Sequence, residues 1–227
     1  MQQQEYPLNV LNIQKLNSVL RHRLRNLYAG FDMALDTIQR DLQAAGSSSA
    51  ERCDLLKADL KDIYRFTERM TLLLDPLPAP ETMDLQTVIS ETLAHVRKQY
   101  PLCRFQCEGT EESYQLKHGN WYRFALIELL FNAAQATGED GTIKVVWKTK
   151  PTVEIAVLNT GVTWPSDVKI EPPEPFENTK GQNDGMGLSI VKRICDAMDA
   201  ELEILTDHPE LVGVRIANKT EEQRNDD

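Results

Sequence analysis
Between Leu8 and Ala45, apolar side chains recur in alternating steps of four and three residues: Leu20, Leu24, Leu27, Phe31, Ala34 and Ile38. Asp41 comes next in the series, with Leu42 beside it as a substitute. No proline interrupts the run, and its only glycine is Gly30. The spacing predicts one long helix with a heptad seam. A second seam follows at Leu56, Leu60, Ile63, Phe66, Met70 and Leu73. Gly46-Ser-Ser-Ser49 between them has the chemistry of a helix stop and a helix start. Two helices joined so closely form an antiparallel hairpin. A single hairpin leaves its apolar seam half covered. Two hairpins close into a four-helix bundle, so the pattern predicts a homodimer.

After the hairpin the period changes. Asp75-Pro-Leu-Pro-Ala-Pro80 ends the helix and reads as a linker. After a short lead-in a helix is expected over Thr82 to Arg97, with Val88, Ile89, Thr92, Leu93 and Val96 facing inward. A strand is expected over Tyr100 to Cys107, and a helix from Trp121 to Ala136. Thr142 to Thr149 and Thr152 to Asn159 alternate as consecutive strands turning at Lys150-Pro151. A further helix runs to about Met198, and Glu201 to Thr206 and Val212 to Ala217 read as closing strands. The fold class is therefore α plus α/β: a helical hairpin, then an α/β sandwich whose mixed sheet carries helices on one face. The expected divisions are 1–75 for the hairpin, 76–82 for the linker, 83–218 for the second domain and 219–227 for a polar, disordered tail.

Composition narrows the function. The 227 residues carry a net charge of −10, which argues against direct nucleic-acid binding and suits a partner with a basic patch. No apolar run has the roughly 18 residues of a membrane span. Met-Gln-Gln-Gln-Glu-Tyr-Pro lacks the features of a secretory leader, so a cytoplasmic location is expected. Cys103 and Cys107 form one C-x3-C pair without a second pair, a poor basis for zinc.

The chemistry concentrates in three stretches. Gly185-Met-Gly187 precedes Leu188, Ile190, Val191 and Ile194, the spacing of a helix packed on one side. Glycines at a helix start let the backbone approach a phosphate, which the free N–H groups and the helix dipole favour. Glu128 and Asn132 lie four apart on a largely apolar helix, an expensive place for an acid and an amide without partners. The strand Val153 to Leu158 runs into Asn159-Thr-Gly161, an amide followed by a permissive backbone, suited to a flat polar ring.

These segments, in this order, resemble the nucleotide-binding boxes of the GHKL ATPase superfamily, and most of all the histidine kinases. Glu128 to Asn132 resembles the N box, Asn159 to Gly161 the first glycine box, Pro175 to Lys180 the F box, and Gly185 to Val191 the second glycine box. The resemblance implies ATP and Mg2+ as cofactors, with Asn132 ligating the metal. It implies nucleotide contacts from Asn132, Asn159, Gly161, Phe176, Lys180, Gly185, Gly187 and Leu188. Segment Pro165 to Asp184, proline-rich and polar, is then expected to be a mobile lid. His22, in Arg-His-Arg-Leu-Arg-Asn26, falls on the helix face away from the seam and resembles the phosphoacceptor box of the dimerisation domain. Asn26, one turn on, matches the position that orients a water for dephosphorylating a partner aspartate. His95, His118 and His208 fit no such box and read as surface residues.

The chain departs from the pattern at several points. Arg23 stands where an acid usually follows the histidine. Glu128 stands where many histidine kinases have Asn; it suits a base or an outer-sphere magnesium group. Asn159 replaces the usual Asp, Thr163 a glycine, and Asp199-Ala200 the usual paired glycines. The resemblance therefore implies a two-component protein histidine kinase that autophosphorylates on His22 and passes the group to a response-regulator receiver domain. No sensor domain is evident, which leaves room for a separate input protein. Two alternatives remain open: a histidine phosphotransferase of the same build with an unused ATP site, and a pseudokinase scaffold.

Overall fold
A computed structural model describes residues 10–46, 49–138, 140–161, 185–205 and 211–219, with side chains from Leu20 onward except those of Ala50 and Glu51. The chain divides into two compact units, Met1–Leu77 and Pro78–Asp227.

The first unit is a hairpin of α1 (Val10–Ala44) and α2 (Ala50–Leu74). The helices meet along a line one residue on from the apolar seam. Tyr28 stacks on Tyr64 with ring centroids 4.6 Å apart. Arg25 bonds Glu68 at 2.6 Å, Gln39 bonds Asp54 at 2.7 Å, and Lys57 pairs with Asp36. Arg21, nearly fully buried, pairs with Asp75 at the end of α2. The seam itself faces outward: Leu20, Leu27, Phe31 and Ile63 are each more than half exposed.

The second unit has the element order β1 (Met83–Asp84), α3 (Leu85–Arg97), β2 (Arg104–Gly109), β3 (Gln115–Leu116), α4 (Gly119–Thr137), β4 (Thr142–Lys148), β5 (Glu154–Asn159), α5 (Gly187–Met198), β6 (Ala200–Leu205) and β7 (Val212–Asn218). Five strands form one sheet in the order β2-β4-β5-β7-β6. Only β2 and β4 run parallel; the other neighbours are antiparallel. A small β1-β3 ladder sits apart.

The period-2 pattern of the strands decides their faces. Ile143, Val145, Ile155, Val157, Val214 and Ile216 are buried with Leu85, Leu126, Leu130, Ile190 and Ile194 of the helices. Each such side chain contributes about 1.5–3 kcal/mol by leaving water. The other face carries a row of ion pairs across the strands: Glu108–Lys144, Lys148–Glu154, Glu154–Arg215 and Arg215–Glu203. The predicted mixed sheet with helices on one face is what the chain adopts.

Element ends differ in places. The strand expected at Tyr100 starts at Arg104, because Gln99 and Tyr100 still donate to Val96 at the end of α3 and Cys103 closes a turn onto Tyr100. Helix α3 starts at Leu85, capped by Asp84, whose side chain accepts from Thr87 N–H at 3.1 Å. Bonds from Ser113, chiefly, and from that backbone hold the Asp84 carboxyl below the usual carboxylate range. Helix α5 ends in Asp199, which takes the left-handed conformation (φ 54°). Asp tolerates that region, so the paired glycines are dispensable here. The expected tail begins after β7, and residues 220–227 lie outside the described set.

Candidate functional site
Helix α4 is buried on most sides, and it packs against both β5 and α5. Within it Glu128 is buried, 5% exposed, and makes interactions of its own. Asn132, one turn on, is half-buried. Its turn leads to Ala136 and Thr137, against which the end of β5 is fastened.

That end is built by alternation. Ile155, Val157 and Asn159 occupy the inward positions of β5, so a polar amide continues an apolar line. Asn159 is 6% exposed, and its Nδ2 makes one long bond of 3.4 Å to the Thr160 carbonyl. Its Oδ1 has no partner among the described residues. Thr160 locks the turn: its N–H donates to Thr142 at 3.0 Å, its Oγ1 accepts from Thr142 N–H at 2.9 Å, and its carbonyl accepts from Thr137 Oγ1. Gly161 follows at φ 143°, and a Cβ there would stand 2.7 Å from the Ala136 carbonyl. Only glycine fits that close approach.

The third part is the start of α5. Gly185 takes φ 67°, Met186 is fully buried, and the helix opens at Gly187. Its first N–H groups lack intrahelical acceptors, as at every helix start. Leu188 is half-buried behind them. The packing of α4 on β5 and α5 thus gathers Glu128, Asn132, Asn159, Gly161, Gly185, Gly187 and Leu188 on three neighbouring elements. Phe176, Lys180 and the lid segment 165–184 lie outside the described residues.

In the hairpin, His22 is exposed on α1, and its Nδ1 lies 3.4 Å from Asn26 Nδ2. Of the three arginines around it, Arg21 and Arg25 are committed to Asp75 and Glu68, while Arg23 is exposed. His95 is exposed, edge-on to Phe131. His118, expected at the surface, is instead half-buried and stacks on Trp121. Sequence reasoning passed over Thr160 and Thr137; the signal was the hydroxyl between Asn159 and Gly161. Among the described residues no helix is long and apolar enough to cross a membrane.

Residues 118–224 match the family of histidine kinase-, DNA gyrase B- and HSP90-like ATPases. The second unit is thus an ATPase domain of the GHKL type, which implies ATP binding. The solved catalytic domain of histidine kinase ThkA is 28% identical and superposes with a TM-score of 0.56 over 63% of this chain and 99% of that one. The ThkA complex with response regulator protein TrrA superposes over 92% of this chain and 63% of that one, at 21% identity and a TM-score of 0.61. Full-length ShkA with AMPPNP matches over 87% and 45%, at 14% identity and 0.64. No curated protein sequence matches. With the helical hairpin ahead of the ATPase domain, the chain has the build of a histidine kinase catalytic core.

Proposed function
We propose that this chain is a protein histidine kinase: His22 takes the γ-phosphoryl group of ATP and passes it to an aspartate of a response-regulator receiver domain. The observation that carries the reading is an exposed His22, with Asn26 at Nδ1, in the same chain as a GHKL-type ATPase domain. With the Asn26 amide turned so that its oxygen accepts from Nδ1–H, Nε2 keeps its lone pair. Nε2 attacks phosphorus in line, an N–P bond forms, the bond to the bridging oxygen breaks, and ADP leaves. Among residues nearby, Asn26 also suits the orientation of a water that removes phosphate from the receiver.

The nucleotide site fits this role. Asn159 Oδ1, without a partner among the described residues, suits an adenine amino group, and the glycine-only turn at Gly161 leaves the ring room. The opening turn of α5, with Gly185, Gly187 and Leu188, presents N–H groups to the phosphates. Phe176 and Lys180 are assigned to the same ligand from the motif alone. Asn132 offers an amide oxygen to Mg2+, which when bound neutralises phosphate charge. Glu128, buried one turn before Asn132, serves as the base or holds the magnesium waters. We further infer a cytoplasmic homodimer, assembled through the exposed seam. The ThkA–TrrA complex supports a receiver domain as partner.

The test is incubation with γ-labelled ATP beside His22→Gln and Asn132→Ala. Acid-labile label is expected on the wild type alone, with nucleotide affinity kept in the first variant and lost in the second. Label surviving in His22→Gln sinks the reading. A second reading, the histidine phosphotransferase, is favoured by Arg23, which leaves His22 without an adjacent acid. It requires label to reach His22 from a phosphorylated receiver and none to arrive from ATP.

A further inference from the structure
Asn159 closes the inward line of β5 among apolar neighbours. Its cross-strand partners are Ile143 of β4 and Val212 of β7, both buried. Neither side chain can bond an amide. A side-chain amide has two N–H donors on Nδ2 and two acceptor sites on Oδ1. Among the described residues Asn159 uses one of these, in the 3.4 Å contact from Nδ2 to the Thr160 carbonyl. One N–H and the whole of Oδ1 remain, side by side on a planar group. Leaving them buried and unpaired costs free energy, so the arrangement suits a ligand edge that supplies both a donor and an acceptor.

The frame around this amide is fixed while the amide itself is not. The Asn159 backbone is held by β4 on one side and β7 on the other. Thr160 is tied to Thr142 through its N–H and hydroxyl, and to Thr137 through its carbonyl. Gly161 sits against the Ala136 carbonyl, where no Cβ fits. The last torsion of an Asn side chain is broad and nearly two-fold. The bond that opposes a half-turn is 3.4 Å long and therefore weak. Such a half-turn exchanges Oδ1 and Nδ2.

That exchange decides which purine is accepted. Adenine presents a donor, its 6-amino group, beside an acceptor, N1. Guanine presents an acceptor, its 6-oxo group, beside a donor, N1–H. In one orientation the amide pairs with the adenine edge, and after a half-turn it pairs with the guanine edge through the same number of bonds. A carboxylate in this fixed frame would only accept, and it would set negative charge against the 6-oxo group. We propose that Asn159 is the base-specificity residue of the nucleotide site and gives it two purine ligands, GTP as well as ATP. The proposal rests on the nucleotide site proposed above, and not on transfer to His22. A modest preference for ATP is expected, since only the guanine orientation gives up the bond to Thr160.

The experiment is calorimetric titration of the full chain, in Mg2+, with ATP, GTP and ITP. The hypoxanthine of ITP has the 6-oxo and N1–H edge of guanine without its 2-amino group. Wild-type affinities for ATP and GTP should agree within about tenfold, with ITP close to GTP. Asn159→Asp should raise the ratio of ATP to GTP affinity by about a hundredfold. Asn159→Ala adds no charge; it should weaken both nucleotides and keep their ratio within about threefold of wild type. Should the aspartate variant fail to fold, the wild-type comparison and Asn159→Ala decide. A wild type that binds ATP but takes both GTP and ITP more than about a hundredfold more weakly overturns the proposal. So does a ratio unchanged in Asn159→Asp. ITP bound and GTP rejected overturns the assignment of guanine. Binding of none of the three refutes the nucleotide site itself, and the proposal with it. ATP and GTP bound alike, with no label on His22, would refute the kinase reading and leave the proposal standing.

Discussion
Cys195 and Tyr122 are ionisable groups set in the core between α4 and α5. Cys195 is fully buried, and burial chiefly, with Asp196 adding, pushes its thiol up to about 12. Burial likewise raises the Tyr122 phenol, against the opposing effect of its 2.6 Å bond to Asn218. In the unfolded chain these groups ionise near 9.0 and 10.0. Above those values the unfolded state sheds protons that the folded state keeps. Their contribution is therefore complete below pH 9 and declines as pH rises toward 12, by up to about 1.4 kcal/mol per pH unit for each group. The urea midpoint should be flat from about pH 7 to 8.5 and fall steeply beyond pH 9, and Cys195→Ala should flatten the fall. A midpoint unchanged between pH 9 and 11 would contradict the burial argument. At this scale much was legible in the sequence. Asn159 stood out as a polar residue ending an apolar alternation, and Glu128 as an acid on a buried helix. Thr160 did not, because its role depends on Thr142 and Thr137 lying beside it, which no local pattern encodes.

At the scale of elements, periodicity marked both helices of the hairpin and the inward residues of β4, β5 and β7. It did not identify which line of α1 meets α2. That line carries Arg21, Arg25 and Tyr28, whose partners Asp75, Glu68 and Tyr64 lie far along the chain. Nor did it show that β2 pairs parallel to β4, since that direction follows from the crossover through α4 between them. The outward seam leads to a test of the inferred dimer. Phe31 and Ile63 are 53% and 54% exposed in the single chain. Aspartate at either position therefore costs little within one hairpin. In a four-helix bundle it would bury an unpaired charge, at a cost of several kcal/mol. Phe31→Asp with Ile63→Asp should keep wild-type helical circular dichroism yet run as a monomer in light scattering. Tyr64→Ala should instead loosen the hairpin itself, by removing the stack on Tyr28. Wild-type protein that is monomeric at micromolar concentration would end the dimer assignment.

At the scale of the whole molecule, the two units draw stability from different sources. The ATPase unit owns a closed core of helices on a sheet. The hairpin has a polar and aromatic internal interface and leaves its largest apolar side chains outside. Its stability should then come from association and depend on protein concentration. The ATPase unit should not depend on concentration but should respond to nucleotide. A ligand at about a hundred times its dissociation constant adds roughly 2.7 kcal/mol to the state that binds it. Calorimetry is therefore expected to resolve two transitions. Raising protein concentration should move one, and adding Mg-ATP should move the other. Asn132→Ala should abolish the second shift while leaving the first intact, because Asn132 lies in the proposed nucleotide site and outside the seam. Phe31→Asp should do the reverse. If Mg-ATP moved both transitions together, the units would be energetically coupled and the separate sources of stability argued here would be refuted. If it moved neither, the chain would carry the fold of an ATPase domain with a site that no longer takes ATP, and the phosphotransferase reading would replace the kinase.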